Sequence, residues 1–277
     1  MALRIATNIQ SLAAQRSLTN NTQMQNTSFE RLASGSRINK AGDDAAGLAI
    51  SEKLKSHIRS MKQATRNAND GISLVQVAEG AMNEVSNIMV RLRELSIQGA
   101  SDTIGDTERG FIDKEVQGLK AEIARIAKST EYNGHKLLDG STSKLDLQVG
   151  IHNDPTQDRF EFDTSKLVSG LESFGIADVS TSSKESAQAN LNKLDSAITR
   201  LNDNRSELGA LQNRLASTIN NNNVYRENME AANSRIRDTD MAEETSEMVK
   251  ANILTQATVS VLSQANQTPQ AALKLLS

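Results

Sequence analysis

Residues 191–219 read LNKLDSAITRLNDNRSELGALQNRLASTI. Leu191, Leu194, Ile198, Leu201, Leu208, Leu211, Leu215 and Ile219 follow one another mostly by three and four. That is the spacing of a coiled-coil seam, held for about four heptads, and it predicts a long helix that buries one stripe against another helix. Arg205 and Asn222 fall where the seam wants apolar residues, and polar seam positions lower stability but can fix register. From about Ser183 to Thr268 the sequence has one glycine, Gly209, and no proline. A helix of roughly 55 residues there would be about 80 Å long at 1.5 Å per residue. Ser182-Ser183-Lys184-Glu185 is a capping-box pattern, with the Ser182 hydroxyl placed to accept from the Glu185 N–H. Asp240, with Glu243 three residues on, caps a further helix over about 241–265. Met241, Met248, Val249, Ile253, Leu254, Val261 and Leu262 give that helix a broad apolar face.

The other end of the chain is similar. Residues 3–33 set Leu3, Ile5, Ile9, Leu12, Met24, Phe29 and Leu32 among polar residues, a weakly apolar amphipathic helix. Residues 34–42 form a loop by composition, and Asp43 or Asp44 caps a long helix to about Gly99. Gly71 and Gly80 inside it each cost roughly 1 kcal/mol against Ala, which predicts close packing at both. After a turn at Ser101–Asp106 comes a helix over about 107–129, with Ile112, Val116, Leu119, Ile123 and Ile126 as its stripe. Strand-like alternation is confined to 133–176: Leu145, Leu147 and Val149, then Phe160 and Phe162, separated by His152-Asn153-Asp154-Pro155. One or two β-hairpins follow from it. The expected fold is mainly α, a long antiparallel helical rod or coiled coil with a small β-hairpin region in the middle of the chain.

Composition narrows the function. The 277 residues include two prolines, no cysteine, no tryptophan and 3% aromatics, and the apolar share is 37%. Large aromatics supply much of the buried area of a thick core, so thin layers of helix on helix are the expectation. A net charge of −3 gives no electrostatic case for nucleic acid. Without cysteine there is no disulfide, redox thiol or thiolate metal site. No run approaches the roughly 18 to 20 apolar residues of a membrane helix, so membrane insertion is not expected. The first ten residues lack the apolar stretch and cleavage site of a secretory signal peptide.

No catalytic constellation is legible, so neither an enzyme nor a cofactor is expected. His57, His135 and His152 stand in no H-x-x-x-H or H-E-x-x-H pattern, which argues against a metal centre. Asp43-Asp44 opens a helix, where negative charge suits the positive end of the dipole better than acid–base work. Gly42–Gly47 lacks the Lys-Ser/Thr of a phosphate loop. Arg91-Leu92-Arg93-Glu94-Leu95 reads first as a charged helix face with Arg91 paired to Glu94. Asn26-Thr27-Ser28 fits a glycosylation sequon inside a helix. What the sequence has in excess is apolar stripe in want of a partner, which is the mark of an assembly protein.

The two ends carry a resemblance. Ile5-Ala6-Thr7-Asn8-Ile9-Gln10-Ser11-Leu12, Leu32–Asn39, Ala41–Ile50, Ser234–Ala242, Ile253–Ala257 and Ser263–Gln267 resemble, in order and spacing, the terminal motifs of bacterial flagellins. The resemblance covers about 1–140 and 185–277. It implies a subunit that polymerises with itself into the flagellar filament for swimming, with 1–42 and 235–277 as the two parts of an inner filament-core domain. By the same resemblance 43–176, with the β-hairpins, and 177–234 are the two parts of a rod domain, and no outer domain is inserted. Ile5, Ile9, Leu12, Met248, Ile253, Leu254, Val261 and Leu262 would then serve assembly of the core. The resemblance also implies an extracellular location, and export unfolded through the flagellum's own type III apparatus with a dedicated chaperone. Hook-associated and cap proteins are the further partners it implies. It adds a Toll-like receptor that reads Arg91, Leu95, Gln98, Ile112 and Glu115, although Val90 and Leu119 depart from strongly recognised forms. The rival within the same resemblance is a hook–filament junction protein.

Overall fold

The computed structural model describes residues 7–141 and 144–274. The order is α1 (Ile9–Ser34), α2 (Ala45–Gly99), α3 (Asp106–Ser129), β1 (Glu131–Tyr132), β2 (His135–Lys136), β3 (Leu145–Gln148), β4 (Arg159–Phe162), α4 (Leu171–Phe174), α5 (Lys184–Arg237) and α6 (Met241–Lys274). The fold is mainly α with a small β region, as the periodicity predicts. The chain divides into two compact units, Met1–His57 with Asn228–Ser277, and Ile58–Glu227.

The Ile58–Glu227 unit holds the apolar core. The buried residues of α5 are Ala187, Asn190, Leu194, Ala197, Leu201, Leu208, Leu215 and Asn222. They keep the heptad spacing, but the stripe is rotated slightly from the one drawn through the leucines. Ala187, Asn190 and Ala197 are buried, while Leu191 and Ile198 flank the seam half-buried. Against it lie Leu74, Val75, Ala78, Met82, Val85, Met89, Leu92 and Leu95 of α2. The two helices are antiparallel. A Cβ on Gly99 would touch Ala187 and one on Gly71 would touch Leu215, so the contacts move down one helix by as many residues as they move up the other. Ile112, Val116 and Ile123 place α3 on the same core.

Two hairpins are present, the expected one at 145–162 and a shorter one that starts at Glu131, just before the expected region. Asn133 at φ 50° and Gly134 at φ 82° form the two-residue turn between β1 and β2, a left-handed pair that asparagine and glycine tolerate. In the second hairpin Leu145 opposes Phe162 and Leu147 opposes Phe160, so apolar residues share one face. Gly71 is where the close approach is needed: a Cβ there would come within 2.7 Å of Leu147 Cδ1. Gly80 differs from expectation, since nothing lies within 4 Å of its Cβ position and it is exposed. Asn222, out of place in an apolar seam, donates from Nδ2 to the Val149 carbonyl at 3.0 Å, and Asn67 does the same to Gln148 at 3.0 Å. Arg214 stacks over the Phe160 ring at 4.6 Å. The second polar seam position, Arg205, is half-buried with its Nε unpartnered.

Caps explain the helix ends. Asp44 Oδ1 accepts from the Gly47 N–H at 2.8 Å and caps α2. Asp43 instead turns back to accept from Asn39 and Lys40 N–H, both at 3.0 Å. Those backbone donors, Lys40 first, hold the Asp43 carboxyl below its ordinary range. The cap of α5 is Ser183, one residue beyond the expected Ser182: its hydroxyl accepts from Ser186 N at 3.2 Å. Ser182 is engaged with Ser180 instead. Asp240 caps α6 as expected, accepting from Ala242 N at 2.8 Å and Glu243 N at 3.3 Å.

Candidate assembly and recognition surfaces

In the terminal unit α1 and α6 pair antiparallel. Gln25 Nε2 donates to Asn252 at 2.7 Å, Asn21 Nδ2 to Thr258 at 3.0 Å, and Ser11 Oγ to Asn266 at 2.9 Å. Arg31 meets Glu244 at 3.5 Å. Among the residues withdrawn from solvent are Ser11, Ala14, Leu18, Asn21, Gln25, Ser28 and Leu32 on α1, and Glu244, Met248, Ala251, Thr255, Thr258, Leu262 and Ala265 on α6. Both sets step by three and four, so this too is a heptad seam. Most of its side chains are small or polar, with Leu18, Met248 and Leu262 as larger apolar members, and Cα atoms of the two helices come within 8 Å of each other along it.

Helix α6 continues through Pro269 to Lys274, well past the expected end near 265. Proline has no N–H to return to the carbonyl four residues back. That carbonyl is Ala265, and Asn8 Nδ2 donates to it at 2.8 Å. The same Asn8 side chain caps α1, accepting from Ser11 N at 3.1 Å.

With the seam mostly small and polar, many of the large apolar side chains stay exposed. Ile9 is 61% exposed, Leu12 53%, Phe29 66%, Ile253 61% and Val261 57%. Leu254 and Val249 are exposed as well. Among the described residues of this unit, the buried apolar side chains are Ala14, Ile38, Ala251 and Ala265. Of the eight residues expected to serve assembly, Ile9, Leu12, Ile253, Leu254 and Val261 are exposed. Met248 and Leu262 are half-buried on the α1–α6 seam, and Ile5 lies outside the described residues. The loop after α1 is tied to the start of α6: Arg37 N–H donates to the Arg237 carbonyl at 2.6 Å, and Thr239 N–H to Gly35 at 3.1 Å.

The second surface lies on α2 and α3. Arg91 donates from Nε and Nη2 to Glu115 Oε1 at 3.0 and 2.9 Å, and from Nη1 to Glu94 at 3.1 Å. The Glu115 hydrogen bond, then that of Glu94, raises the guanidinium pKa further. The Arg91–Glu94 pair is the one helical spacing predicts; the Glu115 bond across to α3 is an addition that spacing on one helix cannot reveal. Gln98 is exposed on the same face, seven residues from Arg91. Leu95 and Ile112 are core residues, 2% and 9% exposed. The large apolar side chains open to solvent beside this pattern are Val90, Ile97 and Phe111.

Among the described residues no cluster of three or more His, Asp or Glu could hold a metal, and no helix is long and apolar enough to cross a membrane. A helical chain whose paired ends turn their large apolar side chains outward is built to be completed by other copies or partners. Comparison with known proteins specifies the class. Residues 5–143 match the model of the bacterial flagellin N-terminal helical region, and 191–276 that of the C-terminal helical region. The chain is 43% identical to the flagellin of Halalkalibacterium halodurans over 97% of its length and 98% of the relative's. It is 42% identical to the flagellin of Bacillus subtilis over 99% of its length and 100% of the relative's. The crystal structure of Bacillus cereus flagellin superposes with a TM-score of 0.50 at 30% identity, covering 57% of this chain and 88% of that one.

The chain belongs to the bacterial flagellin family. It is a structural subunit of the extracellular flagellar filament, the organelle of bacterial swimming.

Proposed function

We propose that this subunit enters the filament through α1 and α6, with 1–42 and 235–277 forming the inner core domain, and 43–176 with 177–234 forming the rod domain. The observation that carries this is the outward set of Ile9, Leu12, Ile253, Leu254 and Val261 on a pair of helices whose own seam is mostly small and polar. Four buried apolar side chains among the described residues of this unit, three of them alanine, are little against about 1–2 kcal/mol of backbone entropy per ordered residue. Burial of the outward side chains against other subunits supplies the missing term, at about 25 cal/mol per Å² removed from water. The terminal pairing is therefore coupled to polymerisation. Limited proteolysis tests this: 1–40 and 240–277 should be cut in the monomer and protected in the filament. Equal protection of the ends and the middle in the monomer removes the coupling.

The same reading includes export unfolded through the type III flagellar apparatus with its chaperone, contact with hook-associated and cap proteins at the filament ends, and no catalytic activity. Both family models and the compared relatives carry the flagellin name, and no observation favours the junction protein, which should not extend long filaments. For the Toll-like receptor, the side chains within reach are Arg91, Gln98 and Glu115, while Leu95 and Ile112 support them from the core. A reporter-cell assay comparing wild type with Arg91→Ala decides it: lower signalling is expected, and equal signalling removes Arg91 from the contact.

A further inference from the structure

The chain has eight methionines, and among the seven within the described residues exposure differs sharply. Met82 and Met89 are fully buried in the core between α2 and α5. Met61, Met229 and Met248 are half-buried. Met24 on α1 and Met241 at the start of α6 are 44% and 53% exposed. Met24 also lines a solvent-open cleft with Arg31, Thr239 and Glu243, so small solutes reach its sulfur. Among the described residues, both exposed thioethers thus sit on the two helices that carry the assembly surface.

We propose that Met24 and Met241 are a peroxide-sensitive modification site of the free subunit, and that their oxidation blocks its addition to the filament. This rests on the reading that outward side chains of α1 and α6 are buried by other subunits. In the reaction the thioether sulfur attacks one peroxide oxygen. The S–O bond forms and the O–O bond breaks. The departing hydroxide takes up a proton, giving methionine sulfoxide and water. Sulfur loses two electrons and the peroxide gains them. The product carries a polar oxygen where a flexible apolar chain stood. Stripping water from these added polar oxygens on assembly should weaken addition by roughly tenfold or more. Once a subunit is in place, the same contact shields both sulfurs, so the filament is protected where the free subunit is not.

The test uses the full chain, hydrogen peroxide and filament seeds. Peptide mass spectrometry of the treated monomer should find sulfoxide at Met24 and Met241 before Met82 and Met89. Seeded elongation, followed by light scattering, should fall about tenfold or more for treated wild type. Treated Met24→Leu/Met241→Leu, a volume-conserving pair, should lose far less of its elongation rate than treated wild type. A second measurement needs no variant: partly oxidised wild type is polymerised, and sulfoxide at 24 and 241 should be depleted in the filament relative to the supernatant. The proposal is overturned if oxidised wild type elongates at the untreated rate, if the double variant is slowed as much as wild type, or if the sulfoxides enter the filament without depletion. Failure of untreated wild type to elongate would overturn the assembly reading itself, and this proposal with it.

Discussion

Asn8 serves two helices with one amide, and its effect can be separated into parts. Its Oδ1 caps α1 through Ser11 N–H, and its Nδ2 satisfies the Ala265 carbonyl that Pro269 leaves without a backbone donor. Asn8→Ser keeps a capping oxygen of equal quality but is too short to reach α6. It should cost about 1 kcal/mol per subunit, the worth of one partly buried hydrogen bond. Asn8→Ala also removes the cap and should cost about 2 kcal/mol. Pro269→Ala restores an N–H for Ala265, so Asn8→Ser made in that background should cost close to nothing. The cycle cancels the gain in helix propensity that the proline replacement brings by itself. The assay is the midpoint of filament dissociation in guanidinium for the four proteins of the cycle, since assembled filament is the state in which α1 and α6 are paired. If Asn8→Ser costs the same with proline and with alanine at 269, the two residues are not coupled and the reasoning is wrong.

Two further outcomes follow from the Ile58–Glu227 unit. Asn222→Leu puts an apolar residue where the heptad asks for one, yet it should lower stability by about 1–3 kcal/mol, because the Val149 carbonyl loses its donor. Hydrogen exchange over 145–162 should rise with it; a higher melting temperature with unchanged exchange would make Asn222 a plain seam residue. Asp113 accounts for part of the acid sensitivity. Burial pushes its carboxyl up, but the Thr181 N–H, the Ser180 hydroxyl, the Gln117 amide and the Lys120 charge outweigh that and hold it below the ordinary range. A depressed carboxylate contributes stability above its unfolded value and loses it as pH falls through the folded one. Wild type should therefore lose more stability than Asp113→Asn between about pH 5 and pH 3 in acid melting curves. Parallel curves would remove Asp113 from the acid response.

How far these features could be read in advance depended on which residues make each seam. The α5 seam was legible because Leu194, Leu201, Leu208 and Leu215 are apolar and buried. The stripe still came out rotated, since Ala187, Asn190 and Ala197 occupy seam positions that a search for large apolar residues passes over. The α1–α6 seam was legible only at Met248 and Leu262 of the expected α6 face, and the rest of it was missed for the same reason carried further. Ser11, Ala14, Asn21, Gln25 and Ser28 keep heptad spacing with almost no apolar signal. The apolar residues that did stand out, Ile9, Leu12, Ile253 and Val261, mark a surface left unpaired within the subunit. Hairpin alternation was clear at 145–149 and 160–162, but its anchors, Asn67 and Asn222, come from helices distant in sequence. The extension of α6 past Pro269 could not be foreseen, because the donor that replaces the missing N–H sits at the other end of the chain. In the recognition pattern, spacing could not distinguish exposed Arg91 and Gln98 from buried Leu95, whereas the α2–α3 packing does.

The account stands on the claim that side chains left outside the α1–α6 pair are what other subunits bury. Ile253, 61% exposed and off the seam, tests it most directly. Purified full-length wild type and Ile253→Asp are each added to filament seeds, and growth is measured by electron microscopy while circular dichroism follows the melting of the helical core. Wild type should extend the seeds into long filaments, and Ile253→Asp should fail to extend them while melting at the same temperature. Equal filament growth by Ile253→Asp would contradict the account.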